Sequence, residues 1–413
     1  MQFSPDQEAA LSLLISKKNV FLTGRAGTGK STLLKELLRR SDPETTAVLA
    51  STGAAAILIG GRTFHSFFGL GILEGGAAKT VERALKNPLL KRRIKKTHTI
   101  IVDEISMLNG ETLAAAEEIA RKARLNDMPW GNLRVVAVGD FAQLPPVSRH
   151  GQKPDWAFRH EVWERSNFHS IQLEKVHRSQ DNEWTEVLNL IREGICDERV
   201  KALLDSRKKI PEGEVTRLFG LRQDAENYNR ECLDALPSEE VLYPTKFLGD
   251  ANAIEQLKRN SPVPEELVLK LDALVMLRKN DTDGFYVNGS LAKVIALRED
   301  AVKVELLDTG LTRELEPVKF ELLNAEGEVV ASARNFPLNL AYGSTIHKSQ
   351  GSTLERLRVK LAGLWESGHA YVALSRVRHP SGLFLDGWRP DSIRVDPEVS
   401  RFHSSLPQSA APL

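Results

Sequence analysis

Through residues 1–175, short unbroken apolar runs alternate with stretches of helical periodicity. The runs at 19–23, 47–50, 99–102 and 133–138 are rich in Val, Ile and Leu and end in small or acidic residues. Runs of that length suit strands buried on both faces of a parallel sheet. Helical stretches at 30–40 and 111–124 lie between them. The alternation predicts a doubly wound α/β domain with ligands at the carboxyl ends of its strands. Residues 176–290 continue the mixture, with helices near 183–193 and 223–236 and a strand at 216–221.

The texture changes from 267 to about 334. Short β-type segments at 267–271, 274–277, 291–297, 302–307 and 328–333 dominate, several parted by turn signals such as Asn288-Gly289, Asp308-Thr-Gly310 and Glu326-Gly327. This predicts a small β-barrel or meander inserted into a second domain. Helix–strand alternation resumes after 338 and runs to about 388. Residues 404–413, with Pro, Ser and Ala and little to bury, predict a disordered tail. No internal repeat has a fixed period.

Composition narrows the class. A chain of 413 residues is too long for one ordinary domain, and 41% hydrophobic with 27% charged residues excludes wholesale disorder. No stretch approaches 18 uninterrupted apolar residues, and the start, Met1-Gln-Phe-Ser-Pro-Asp6, has neither a basic leader nor an apolar segment. Neither a membrane span nor a secretory signal is expected. The two cysteines, Cys196 and Cys232, show no metal-ligand spacing, which points to a reducing cytoplasm. Fifty-six basic against 55 acidic residues leave a formal charge of +1, so any polyanion must be met by locally arranged groups.

Gly24-Arg-Ala26-Gly27-Thr28-Gly29-Lys30-Ser31 fits Gly-x-x-x-x-Gly-Lys-Ser/Thr, with a strand before it and the helical stretch 30–40 after it. Its glycines let backbone N–H groups surround phosphate oxygens, Lys30 reaches the outer phosphates, and the Ser31 hydroxyl can ligate Mg²⁺. The site predicts a bound nucleoside triphosphate. The apolar run 100–102 ends in Asp103-Glu104: Asp103 can hold Mg²⁺ beside the loop, and Glu104 can polarise an attacking water. Hydrolysis rather than simple nucleotide holding is implied. Gly139-Asp-Phe-Ala142-Gln143-Leu-Pro-Pro146 follows another buried run. Gln143 there fits a γ-phosphate sensor or a structural loop equally well.

Together these residues resemble superfamily 1 helicases of the 5′-to-3′ group and, within it, the PIF (petite integration frequency) DNA helicases. Seven or eight motifs run in the family's order from Gln7 to Arg378. Phe3-Ser-Pro-Asp-Gln7 resembles the motif whose Gln reads adenine. Leu49-Ala-Ser-Thr52-Gly53-Ala-Ala55 with Thr63-Phe-His65-Ser66-Phe67 resembles the first DNA-contacting motif. Leu173-Glu-Lys-Val-His-Arg178 resembles the motif whose Arg touches the γ-phosphate. Ser344-Thr345-Ile-His347-Lys348-Ser-Gln-Gly351 and Tyr371-Val-Ala-Leu-Ser-Arg376 resemble the last two. Ala142 departs from the pattern, since an aromatic residue is common there.

The resemblance implies two RecA-like P-loop NTPase domains: a first at 1–175 with a wedge insertion at about 69–96, and a second at 176–291 and 336–403 carrying a small β-barrel at 292–335. It implies ATP and Mg²⁺ as cofactors. Gln7, Gly24, Ala26, Gly27, Thr28, Gly29, Lys30, Ser31, Thr32 and Gly351 would bind nucleotide, and Ser31 and Asp103 the metal. Lys30, Glu104, Gln143, Arg178 and Arg376 would act in catalysis, with both arginines on the second domain and ATP joining the two. Thr52, Gly53, His65 and Ser66 on one domain, and Thr345, His347 and Lys348 on the other, would contact DNA. The basic run Lys91-Arg-Arg-Ile-Lys-Lys96 is read either as a solvated face or as a duplex contact.

The implied activity is ATP-driven 5′-to-3′ movement on single-stranded DNA. It would separate duplex or structured DNA, G-quadruplexes included, in replication, recombination or repair. The expected partners are single strands and strand–duplex junctions, for a monomer that pairs on DNA in a bacterial or phage-infected cytoplasm. Two alternatives are a RecD-type motor subunit of a larger complex and an ATP-switched remodeller without processive unwinding.

Overall fold

The apolar runs of the first 175 residues pair side by side because nothing along them offers a solvent-facing edge. In the computed structural model these four runs and two further, more polar strands form one parallel sheet of β1 (Val20–Gly24), β2 (Thr46–Ala50), β3 (Arg62–Thr63), β4 (Thr99–Asp103), β5 (Arg134–Val138) and β6 (His169–Leu173), in the order β3-β2-β4-β5-β1-β6. Strand β1 is wholly buried, with Val20 opposite Val136 on one side and His169 on the other. The structure describes residues 3–58, 61–71, 76–146, 153–179, 181–281, 285–324 and 328–407.

Two helices clamp β1. Helix Lys30–Arg40 buries Leu33, Leu34 and Leu37 and ends in Arg39 and Arg40, cations at the negative end of its dipole. Helix Pro5–Ile15 adds Ala10, Leu11 and Leu14 to the same core, together with Val20, Leu22 and Val136. Each fully buried Leu or Val contributes roughly 1.5–3 kcal/mol. The described part of the expected wedge is a pair of helices, Ala77–Leu85 and Pro88–Lys96, packed on helix Gly110–Arg124. Residues 72–75 of that region lie outside the described residues.

The second unit has its own parallel sheet, in the order Gly343–Thr345, Thr216–Phe219, Leu357–Lys360, Leu383–Gly387. The small β-region is broader than the expected 292–335. Its five-stranded antiparallel sheet takes Leu274–Leu277 and Leu338–Leu340 beside Leu291–Leu297, Val302–Leu306 and Thr312–Leu315. Val329–Asn335 pairs with Lys246–Gly249, and Val241–Pro244 with Glu266–Leu269. One core, including Tyr243, Leu267, Val275, Val294, Val304 and Phe336, explains why these early strands belong to it. Four-residue strands that end in Pro244 and Gly249 carry too little alternation to announce themselves in sequence.

The unit boundaries also differ from the sequence reading. The first unit comprises Met1–Arg178, Leu323–Val329 and Asp396–Leu413, and the second Ser179–Leu322 and Val330–Val395. Arg178 therefore belongs to the first unit, not the second. Helix Pro397–Ser405 also returns to the first unit, through a cluster of rings: Phe402 stacks on Phe158 at 4.3 Å and meets Phe141 at 5.5 Å and Trp163 at 5.9 Å. Trp156 donates to Asp396 at 2.9 Å, and Arg159 pairs with Glu398 at 2.9 Å. The expected tail at 404–413 begins inside this helix, since Ser404 and Ser405 are helical; 408–413 lie outside the described residues. Among the described residues no helix is long and apolar enough to cross a membrane.

Candidate nucleotide and nucleic-acid sites

The loop from Gly24 to Lys30 joins β1 to helix Lys30–Arg40, at the carboxyl end of the central strand. Gly27 and Gly29 adopt left-handed φ of 80° and 90°, a region that L side chains seldom enter. Space is short there too: a Cβ at Gly27 would lie 2.5 Å from the Cβ of Arg178, and one at Gly29 would displace the Gln7 amide. Lys30 folds back over the loop and donates to the carbonyl oxygens of Gly24 at 2.7 Å and Arg25 at 3.1 Å. Thr28 is buried and its hydroxyl donates to Arg25 O at 2.9 Å, while Ser31 is exposed and Ala26 and Thr32 are half-buried around the same turn.

Gln7 has a structural duty that the sequence reading missed. Ser4 and Gln7 form a capping box at the start of helix Pro5–Ile15, with Ser4 N–H donating to Gln7 Oε1 at 3.2 Å. The Gln7 amide donates in turn to Thr28 O at 3.1 Å, so the residue struts the loop from the helix start. Ser-x-x-Gln before an apolar helix was the available signal.

Arg178 lies across the same loop. Its stem covers Gly27, and the preceding N–H of His177 donates to Gly27 O at 2.8 Å. The expected γ-phosphate arginine of the second domain is thus already beside the phosphate loop within the first unit.

Asp103 ends β4, one strand away from β5 and two from β1. Desolvation pushes its carboxyl up, against the opposing pull of the Glu104 N–H and the Lys30 charge. The Glu104 N–H donates to Asp103 Oδ1 at 3.0 Å. Glu104 sits in the left-handed region, φ 52° and ψ 48°, a strained conformation for a non-glycine residue of the kind found at functional sites. Ser31 and Asp103 offer a hydroxyl and a desolvated carboxylate, oxygen donors that fit Mg²⁺, which commonly takes one or two protein ligands.

Gln143 is buried, and its N–H donates to Asp140 O at 3.0 Å. Asp140, fully buried, also accepts from Ala142 N–H at 3.1 Å and so folds the turn that presents Gln143. Sequence reasoning passed over Asp140, although Gly-Asp at a strand end repeats the pattern of Asp103. Ala142 is 3% exposed, which makes the missing aromatic a matter of packing.

Arg376 is buried inside the second unit. It donates to Val372 O at 2.8 Å, to the carbonyls of Ser349 and Ser352 at 3.3 Å each, and to Ser375 Oγ at 2.8 Å. It thereby ties helix His369–Leu374 to the turn holding Gly351, whose φ is 77° and whose Cβ position is open.

The two expected DNA motifs share a local design. Thr52 follows β2, and its hydroxyl accepts from Ala55 N–H at 3.2 Å at the start of helix Gly53–Leu58. Thr345 ends strand Gly343–Thr345 and accepts from Lys348 N–H at 3.1 Å at the start of helix Ile346–Ser349. Each hydroxyl accepts as a cap and keeps its proton for another acceptor. His65 and Ser66 lie on helix Phe64–Phe68, where Ser66 N–H is capped by Thr63. Burial pushes the His65 ring pKa below its ordinary value. Burial and then the neighbouring His369 do the same to His347, against Glu366. Lys348 is pushed down by burial and by Arg222 and Arg278, partly offset by Glu226. An anion near Lys348 would relieve that penalty.

The basic run divides in two. Arg93 is buried; its guanidinium donates twice to Phe67 O, at 2.7 and 3.1 Å, and lies over the Phe67 ring. Lys91, Arg92, Lys95 and Lys96 are exposed on the other face of the helix. Arg93 is therefore a structural clamp on the helix that carries His65, not one of five equivalent surface charges.

The chain is similar to known proteins over nearly its whole length. The sequence profile of the PIF1-like helicases matches residues 2–201. The ATP-dependent DNA helicase Pif1 of Bdellovibrio bacteriovorus is 46% identical over 408 residues, covering 98% of this chain and 92% of that protein. A crystal structure of Bacteroides sp. Pif1 in complex with ADP-AlF4 superposes with a TM-score of 0.85 at 28% identity, covering 98% of this chain and 97% of the other. A Bacteroides Pif1 structure in complex with ADP-AlF3 and single-stranded DNA gives a TM-score of 0.68 at 28% identity and the same coverage.

Proposed function

Since the chain belongs to the PIF1-like helicase family, with two RecA-like α/β domains, we propose that it is an ATP-dependent DNA helicase that moves 5′ to 3′ along single-stranded DNA and opens duplexes. The observation that carries this reading is the convergence of Lys30, Arg178, Asp103 and Glu104 on one strand-end loop of the first unit.

Arriving phosphates exchange the Gly24 and Arg25 carbonyls for anionic oxygens as acceptors of the Lys30 ammonium. Backbone N–H groups from Gly27 to Ser31 receive the inner phosphates at the helix N-terminus. Ser31 and Asp103 would hold Mg²⁺, which supplies charge neutralisation of the β- and γ-oxygens when bound. Glu104 accepts the proton of the attacking water, Gln143 orients that water, and Arg178 stabilises charge spread over the transferring group. Arg376 carries the second arginine role implied by the resemblance, and it couples that role to the turn containing Gly351. Thr52, Gly53, His65 and Ser66, with Thr345, His347 and Lys348, grip DNA phosphates without reading sequence.

The test is unwinding of a duplex bearing either a 5′ or a 3′ single-stranded tail, with Lys30→Ala as control. Opening of the 5′-tailed substrate alone is expected, for the monomeric protein or for copies paired on the fork. Opening only of the 3′-tailed one overturns the direction. ATP turnover stimulated by DNA with no opening overturns the helicase in favour of a remodeller.

A further inference from the structure

Among the described residues, one trio of metal-ligating side chains gathers in the second unit: His347, Glu366 and His369. His347 lies on helix Ile346–Ser349, His369 opens helix His369–Leu374, and Glu366 sits in the loop just before it. Glu366 Oε2 is 3.0 Å from His369 Nε2 and 3.7 Å from His347 Nε2. All three donor atoms lie within 4.8 Å of one another. Ligands on a tetrahedral ion with bonds near 2.1 Å stand about 3.4 Å apart, so the two measured separations bracket the required one.

A second observation comes from His369. Its side chain is fully buried; Nδ1 has no hydrogen-bond partner, and Nε2 faces the Glu366 carboxylate at 3.0 Å. A buried imidazole nitrogen is rarely left without a partner, because nothing repays its lost hydration. A cation between the imidazoles and the carboxylate would bind Nε2 of both rings and the carboxylate together.

We propose that His347, Glu366 and His369 form a binding site for a divalent transition-metal ion of the zinc class, and that occupancy withdraws His347 from DNA. Two imidazoles and one carboxylate suit Zn²⁺, Co²⁺ or Ni²⁺ and disfavour Mg²⁺ and Ca²⁺, which take oxygen ligands. Three protein ligands leave a fourth position open, which makes the ion exchangeable. The DNA half of the proposal rests on the strand-gripping role given to His347 above; the metal half does not.

Trp365 supplies a reporter. Its ring is half-exposed and meets His369 edge-on at 5.3 Å, so an open-shell ion held by His369 quenches its fluorescence. The full chain, stripped with chelator and free of nucleotide, is titrated with Co²⁺ while indole emission and cobalt visible absorption are followed; Zn²⁺ then competes. Expected are one ion per chain, tetrahedral cobalt colour, and affinity lowered about 10-fold or more in both Glu366→Gln and His369→Gln. Trp365→Phe keeps the cobalt colour and loses most of the emission change. If His369→Gln misfolds by circular dichroism, Glu366→Gln decides alone. Unchanged affinity in the folded variants, as for an ion held by Cys196 or Cys232, overturns the site, as does the absence of cobalt colour.

Single-stranded oligonucleotide binding is then measured with and without Zn²⁺. A several-fold loss of affinity that disappears in Glu366→Gln is expected. Metal binding with unchanged DNA affinity overturns the DNA half and leaves the site standing. Failure of the tailed-duplex assay, by contrast, removes the helicase reading while the cobalt titration still stands.

Discussion

At the scale of single residues, the phosphate loop separates chemistry from scaffolding. Lys30 holds two loop carbonyls, so Lys30→Ala costs the fold only about 1 kcal/mol per lost hydrogen bond. It removes the cation that follows the phosphates, and ATP turnover should fall by about 10²-fold or more. Steady-state hydrolysis beside an unchanged circular dichroism spectrum checks this; full turnover in the folded variant rules the mechanism out. His65 gives a pH signature. Burial lowers its folded pKa below the ordinary 6.5, so between those values the unfolded chain binds the extra proton. Its contribution is therefore complete above about pH 6.5 and is lost as pH falls toward the folded value. Urea unfolding at about pH 7.5 and about pH 5.5 should show a smaller acid loss in His65→Gln than in the parent; equal losses refute it. Lys30, Ser31, Asp103 and Glu104 were legible in sequence because motif and strand context coincide. The conformation of Glu104 was not, because nothing in Asp-Glu-Ile-Ser specifies a left-handed backbone.

At the scale of elements, helix Pro88–Lys96 shows why a charge run misleads. Five cations in six residues look alike in sequence, but a helix turns Arg93 inward with Leu90 and Ile94 while the other four face solvent. The two sets should separate in experiment. Arg93→Ala leaves the Phe67 carbonyl and ring without their partner, and a loss of roughly 1–3 kcal/mol in unfolding free energy is expected. Neutralising Lys91, Arg92, Lys95 and Lys96 together should leave stability nearly unchanged. If the helix meets DNA, it weakens binding and flattens the plot of log affinity against log salt. An unaltered slope returns these four to a solvated face. Four of the six sheet strands of the first unit, β1, β2, β4 and β5, were readable because each is a short apolar run; Arg62–Thr63 and His169–Leu173 are too polar to announce themselves. The strands at 267–271 and 274–277 were readable too, but those at 241–244 and 246–249 were not, because four residues carry too little alternation and the second pairs with residues more than 80 positions along the chain.

At the scale of the whole molecule, the chain leaves the first unit after Arg178, touches it again at Leu323–Val329 and returns to it for good at Asp396. The sequence hides this return because helix Pro397–Ser405 carries a single large ring, Phe402, whose partners Phe21, Phe141, Phe158 and Trp163 are more than 230 residues away. Phe21 lies on β1 and Phe141 in the turn that presents Gln143, so the returning helix braces the strand that leads into the phosphate loop and the candidate water-orienting residue together. Phe402→Ala should then destabilise the first unit by about 1–3 kcal/mol, less than a fully buried ring because Phe402 is only half-buried. Removing residues 396–413 should cost more, since the Trp156–Asp396 hydrogen bond and the Arg159–Glu398 pair go with the ring. Fluorescent ADP binding and thermal unfolding, measured on the same samples, separate the two consequences. A lower melting temperature with weakened ADP binding is expected for both variants, larger for the truncation. Were the truncated chain to melt and bind ADP like the parent, the helix would be an appendage, and the ring cluster would brace β1 without it.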